Sequence, residues 1–198
     1  MSQTIHTFKL VTAAEFMPIS MQIAKKQIKM EDVDADDDLI ELQLGSAVED
    51  AEIYLGRSLM KQTWAMIPDR WSDKIIVGNH NPVLSITSVK YFDADGVKQT
   101  IPSDQYKLSS ASNQAVIQFN ALFESPDLEE DNLEPIVIEM ICGYNAGNES
   151  AQKGAVPKPI RSAILLKLSA LYEMREDRKG DLMSRSDLML HPYKVSFF

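Results

Sequence analysis

The sequence predicts an α+β fold: a helical layer built from both ends of the chain, with an antiparallel β region inserted between them. Three observations predict it. Apolar side chains recur at helical spacing over residues 37–54 and again over 157–176. Between 61 and 143 the period drops to two, in short runs rich in Val, Ile, Thr and aromatic residues. Turn residues rather than further helical stretches separate those runs, and no internal repeat is present. The expected organisation is an N-terminal helical part (1–60), the β region (61–143), a long helix completing the helical core (144–180) and a C-terminal tail (181–198).

Residues 1–20 show no steady period. Thr12 with Glu15 fits a helix start, but the segment is short and Pro18 stops any regular element. Residues 21–30 form a short helix with Ile23, Ile28 and Met30 on its apolar side, and Glu31–Asp38 is an acidic connector. A stronger helix follows over 37–55. Ile40, Leu44, Ala47, Ala51 and Tyr54 mark its inner face, the aspartates at 36–38 suit the positive end of its dipole, and Gly56 stops it.

Six runs then read as strands: Thr63–Ile67, Lys74–Val77, Ile86–Phe92, Gln105–Leu108, Ala115–Phe119 and Pro135–Ile141. Asp93-Ala-Asp-Gly96 is a turn, so a hairpin is expected there. Glu124–Glu134 reads as an acidic loop and Asn145–Gly154 as a flexible one.

Pro157 and Pro159 set up the last long helix, since proline suits a first helical turn, where its missing N–H is not needed. Ile160, Ala163, Ile164, Leu168, Leu171 and Tyr172 form its stripe. Leu165, Leu166 and Ala170 widen that stripe past half the circumference, so the helix needs more than one packing surface. It either faces its own core alone or faces the core on one side and a neighbouring copy on the other. Arg175–Ser186 is charged and expected to break at Gly180. In the last segment Leu188, Leu190, Pro192, and then Tyr193, Val195 and Phe197, recur at steps of two, with Phe198 at the end. That period predicts an extended tail whose apolar groups are buried on this domain or on another molecule.

Composition narrows the function. The chain has 198 residues, 44% hydrophobic and 25% charged, which reads as globular. No apolar run reaches membrane-spanning length, and no basic-then-apolar start argues for secretion. A single Cys142 excludes an intramolecular disulfide and reads as a buried structural thiol. The net charge of −9 is uneven: residues 151–198 carry nine bases and five acids, residues 1–150 eleven bases and 24 acids. So acidic a body argues against general binding to nucleic-acid phosphates. Its basic end suits an acidic partner, including the body of a neighbouring copy.

No motif supplies chemistry. Asp32, Asp34, Asp36 and Asp38 have the spacing of the first calcium-loop ligands, but Asp37 stands where that loop needs glycine and Gln43 where it needs a bidentate glutamate. A solvated acidic helix start explains the run better. His6, His80 and His191 lack metal-ligand spacing, and neither a phosphate-cradling glycine loop nor a Gly-x-Ser-x-Gly elbow is present. Trp64 and Trp71 read as core or interface anchors, because base stacking calls for interleaved cations. The expectation is a non-enzymatic protein with no cofactor and no metal.

Several segments together resemble phage and prophage head–tail connector proteins, the adaptor or DNA-packaging type. They are Asp-Asp-Asp-Leu-Ile-Glu-Leu (36–42), Ala-Val-Glu-Asp-Ala-Glu-Ile-Tyr-Leu-Gly-Arg-Ser-Leu (47–59) and Gln-Thr-Trp (62–64), then Pro-Val-Leu-Ser-Ile-Thr-Ser-Val-Lys-Tyr-Phe-Asp-Ala-Asp-Gly (82–96) and Asp-Gln-Tyr-Lys-Leu (104–108), then Gly-Tyr (143–144), Pro-x-Pro-Ile-Arg-x-Ala-Ile-Leu-Leu (157–166) and the closing Leu-x-x-Tyr-Lys-Val. Each is weak alone; their order along nearly the whole chain is what is specific. The resemblance implies a virion protein made in the host cytoplasm and placed in the neck, as a homo-oligomeric ring of about twelve copies beneath the portal. Such a ring extends the DNA channel, lets DNA pass without specific binding, and gives later neck or tail proteins a platform. No membrane is involved. A neck or tail-completion protein of related fold, or a small nucleic-acid-binding packaging factor, are the other readings.

On this basis Ile160, Ile164, Leu165, Leu166, Leu168 and Tyr172 are candidate subunit-interface residues. Leu188, Leu190, Pro192, Tyr193, Val195, Phe197 and Phe198 are candidates for portal docking. Asp32, Asp34, Asp36, Asp37 and Asp38, or Glu129, Glu130 and Asp131, are candidates for an acidic channel lining that repels phosphate.

Overall fold

The computed structural model describes residues 6–31, 34–111, 113–145, 148–173 and 184–195. Asp32, Gly180, Phe197 and Phe198 therefore lie outside the described residues. The fold is α+β, with one core beneath the helices and a second between two antiparallel sheets.

The helical layer contains α1 (Met21–Gln27), α2 (Asp37–Leu55), α3 (Glu149–Ala155), α4 (Lys158–Glu173) and α5 (Arg185–Leu190). Ile40, Leu44, Ala47, Ala51 and Leu55 of α2 meet Ile160, Ala163, Ile164 and Leu168 of α4, so the two buried stripes face each other. Ion pairs stitch the margins. Lys25 of α1 donates to Asp34 at 2.7 Å and approaches Asp37 at 2.9 Å. Lys167 of α4 bridges Asp50 of α2 and Asp187 of α5. The Tyr172 hydroxyl donates to Asp36 at 2.9 Å. Gly56 closes α2 in the left-handed conformation, φ 64°, which glycine adopts without strain.

The larger sheet has the order β1-β2-β8-β4-β5, from strands Thr7–Thr12, Gln62–Ile67, Ile136–Cys142, Val83–Phe92 and Lys98–Ile101. The smaller sheet runs β3-β7-β6, from Lys74–Val77, Ala115–Phe119 and Tyr106–Ser109. Every pairing is antiparallel. Alternation decides what faces inward: in β8, Ile136, Ile138, Met140 and Cys142 are buried and the residues between them are not. They meet Ile75, Val77, Ala115 and Ile117 from the smaller sheet, and Trp71, Tyr106, Phe119 and Phe123 close one end with edge-to-face and stacked contacts.

Three expectations need correction. The region before Pro18 holds a strand: β1 pairs with β2 from Thr7 opposite Ile67 to Thr12 opposite Thr63. Strand β1 is exposed on both faces apart from half-buried Phe8, so it lacks the alternation that announces a strand. The loop expected at 145–154 contains α3, nucleated by the Asn148 side chain, which accepts from Ala151 N at 3.0 Å. The tail is helical over Arg185–Leu190 and turns through a 3₁₀ segment at His191–Tyr193, rather than running extended. A capping box at Ser184 and Asp187 starts that helix.

The two cores join at one seam. Ser58 N donates to Asn81 O at 3.2 Å and His80 N to Gly56 O at 3.0 Å. Buried Asn81 donates to Val77 O at 2.8 Å and accepts from Ala115 N at 2.7 Å, tying the seam to the smaller sheet. Gly143 completes it. Its φ is 123°, and a Cβ there would lie 2.5 Å from Met60 O, so the two backbones can approach only at glycine.

Candidate assembly interface

A groove of about 860 Å³ runs between α2 and the Ala13–Met21 segment. Its floor is apolar, with Phe16, Met17, Ile19, Leu44, Val48 and Met60, and its walls carry Glu15, Glu41, Glu49 and Glu52. Glu52 sits deepest. Its carboxylate accepts from Leu59 N at 2.6 Å and Gln62 Nε2 at 3.1 Å. Burial nonetheless holds its pKa above the ordinary glutamate value, against those two hydrogen bonds, and nearby Glu49 adds to the rise. Glu52 therefore braces the turn into β2.

At the far end of the groove His80 stacks on Trp64, ring centroids 3.6 Å apart, with Phe8 edge-on at 5.1 Å. Burial pushes the His80 pKa down to about 4, so its ring is neutral at physiological pH and behaves as an aromatic. Its Nδ1 lies 3.4 Å from Ser58 Oγ. No group of His, Cys, Asp and Glu that could hold a metal occurs among the described residues. Cys142 is buried and its pKa is raised to about 12, which leaves it a packed thiol rather than a nucleophile.

A second, smaller depression of about 250 Å³ lies between α1 and α4, lined by Pro18, Ile19, Ile23, Lys158, Arg161, Ser162 and Leu165. Arg161 Nε is buried there without a hydrogen-bond partner among the described residues.

The structure sorts the candidate interface residues. Ile160, Ile164 and Leu168 are fully buried in the chain's own core and present nothing to a neighbour. Tyr172 is half-buried and bonded to Asp36. Leu165 is half-buried, and only Leu166, at 36% exposure, lies on the outer face. The stripe is wide because α4 meets α2, α1 and α5 at once, which spacing along one helix cannot reveal.

The tail is sorted likewise. Leu190 and Val195 are buried in the domain, and Val195 N donates to Leu55 O at 2.9 Å. Arg57 Nε donates to Tyr193 O at 2.6 Å. Leu188, at 60% exposure, and Pro192 remain on the surface. Of the acidic runs, Asp34 and Asp37 pair with Lys25, Asp36 holds Tyr172, and Asp38 is exposed. Glu129 accepts from Asn132 at 2.7 Å, while Glu130 and Asp131 are exposed. The side chains that sequence reasoning missed are Glu41 and Glu49. They carry no clustered signal and gain their place only when α2 lies along the groove.

Neither a family model nor a curated protein matches this sequence. Solved structures do. The chain is similar to one in the virion of the native gene transfer agent (GTA) particle, at 18% identity and TM-score 0.77, over 96% of each chain. It is similar to a chain in the neck of the empty GTA particle computed with C6 symmetry, at 18% identity and TM-score 0.76, over 97% of each. It is also similar to one in the neck of the native GTA particle computed with C12 symmetry, at 16% identity and TM-score 0.71, over 97% of each. The likeness covers the whole α+β arrangement of helical layer and paired sheets, and at this identity it establishes a shared fold.

Proposed function

We propose that this chain is a structural protein of a phage-like virion neck: a head–tail connector subunit that forms a ring below the portal. The observation that carries the reading is the end-to-end fold likeness to chains of GTA particles, two of them in necks computed with C6 and C12 symmetry. The ordered connector-like segments of the sequence point the same way. The ring extends the DNA channel and offers a platform to later neck or tail proteins, and no bond is made or broken. A cyclic ring of more than two copies requires each copy to present two unlike faces. A net charge of −9 suits a wall past which DNA slides, and Asp38, Glu130 and Asp131 are the exposed acids available for it. Leu188 and Pro192 are the described tail residues free for portal contact, with Phe197 and Phe198 following in the sequence.

The test is reconstitution. Full-length protein is added to portal-bearing heads that lack it, and the portal vertex is imaged by electron microscopy. A ring coaxial with the portal and with an open lumen is expected. Heads that stay bare, or protein bound away from the vertex, overturn the reading, as does a lumen lined chiefly by Lys and Arg.

A further inference from the structure

Resting on the neck reading, we propose which faces meet between neighbouring copies. The outer face of α2, with Glu41, Leu42, Glu49 and Ile53, seats against the face of α4 that carries Lys158, Arg161, Leu165 and Leu166 in the next copy.

Direction comes first. Helices α2 and α4 bury their stripes against each other, so their outer stripes point to opposite sides of the helical layer. Two unlike faces on opposite sides are what a head-to-tail ring uses. An isologous dimer would instead need one face that complements itself.

Both faces are unfinished within one copy. Leu42 and Ile53 are 68% and 74% exposed on α2, on either side of Glu49. Ile23, at 48%, and Leu166, at 36%, are exposed near the second depression. Among the described residues, Glu15, Glu41 and Glu49 form no ion pair, and neither do Lys158 and Arg161. Elsewhere in the helical layer, by contrast, Lys25 and Lys167 are each held by two carboxylates. Each face is thus apolar with unpaired charge of a single sign, and the signs are opposite. A second copy of this chain is the one partner certain to carry the complement of both.

Charge reversal with rescue tests the pairing. Glu41→Lys/Glu49→Lys makes both faces of a copy basic, and Lys158→Glu/Arg161→Glu makes both acidic. Each variant alone is expected to form rings on portal-bearing heads roughly a hundredfold less readily than the parent, since like charges then meet at every contact. An equimolar mixture is expected to restore rings, with the variants alternating around an even-numbered circle. Circular dichroism melts check folding. If Arg161→Glu lowers the melting temperature, Lys158→Glu/Ser162→Glu makes the same sign change at exposed positions. Parent-like rings from either variant alone, or no rescue on mixing, overturn the face assignment and leave the neck reading standing. Parent-like rings that fail only to recruit a downstream protein also overturn it, by assigning the face to that protein. Failure of the parent to form rings overturns both.

Discussion

The helical layer and the β sandwich are held together differently. The sandwich closes on shape: Phe119 stacks on Phe123 at 4.6 Å and packs edge-on to Trp71 and Tyr106. Among the described residues, one cross-strand ion pair, Lys90–Glu139 at 3.3 Å, ties its sheets. The helical layer has an apolar core of similar make-up but ties its margins with charge, through Lys25 and Lys167. Aromatic packing is indifferent to salt, whereas partly exposed ion pairs are screened by it. The packing of the sandwich is therefore expected to be insensitive to salt. The layer is the part whose surface can respond to a charged neighbour.

The sharpest way to break that comparison is at the seam the two regions share. Gly143→Val places a side chain against the Met60 carbonyl at a φ that branched residues avoid, and should cost more than about 4 kcal/mol, close to loss of the fold. Urea titration followed by both fluorescence and circular dichroism measures it. A variant that melts like the parent would show that the two backbones are not in contact. Next comes the sandwich alone. Phe119→Ala should cost about 3–5 kcal/mol from lost burial and the cavity left behind. That cost should be the same in low and high salt; a strong salt dependence would contradict packing by shape.

Acid probes the junction through His80. Its folded pKa, about 4, lies below the unfolded value of 6.5, so the folded state resists protonation. Its contribution is complete above pH 6.5 and is lost as pH falls towards 4, by about 2 kcal/mol after allowance for the exposed edge of the ring. Glu52 acts with the opposite sign. Its raised folded pKa means that stability falls as pH rises from the ordinary glutamate value through the folded one. The difference between parent and His80→Gln across that range isolates the histidine, and parallel curves would refute its burial.

In the helical layer, Lys167→Met should cost about 1–2 kcal/mol, because Asp50 and Asp187 lose their common cation while the apolar stem is kept. Here the cost should shrink in 1 M salt, to about half or less, as a screened pair predicts. An unchanged cost would place this contact with the sandwich type. The smallest effect is at the capping box: Ser184→Ala should cost about 1 kcal/mol. It should speed hydrogen exchange in α5 ahead of the rest, and uniform exchange would mean that α5 does not open separately.

The sequence made legible whatever depends on local period. All six expected strands are present, with ends within a few residues, because alternate residues of β3, β7 and β8 must enter a core. The Asp93–Gly96 hairpin is present for a local reason as well: Asp93 accepts from Val97 N at 2.9 Å and from Asp95 N at 3.2 Å. Strand β1 was not legible, since it is recruited by the edge of β2 rather than by a face of its own. The tail misled for a related reason. A step of two fits Leu188, Leu190 and Pro192, but Ser184 and Asp187 offered a helix cap, and the Leu55 carbonyl at the end of α2 took the Val195 N–H.

By itself, then, the sequence determined the class, the two helices that face each other and the strands that close the sandwich, since each follows from which side chains must leave water. It also determined that the apolar stripe of α4 is too wide for a single packing surface. Only the tertiary structure decided how that excess is used. Ile160, Ile164 and Leu168 go to the chain's own core, because α2 lies directly across from them. Leu166 and Lys158 keep an exposed side, and Arg161 lies half-buried in the depression between α1 and α4. Whether a charged side chain is paired can depend on neighbours far along the chain, as Asp50 and Lys167, 117 residues apart, or Asp36 and Tyr172, 136 apart, show. Spacing along the chain carries no record of such distances, so the unpaired glutamates of α2 and the unpaired cations of α4 become visible only once the chain has folded.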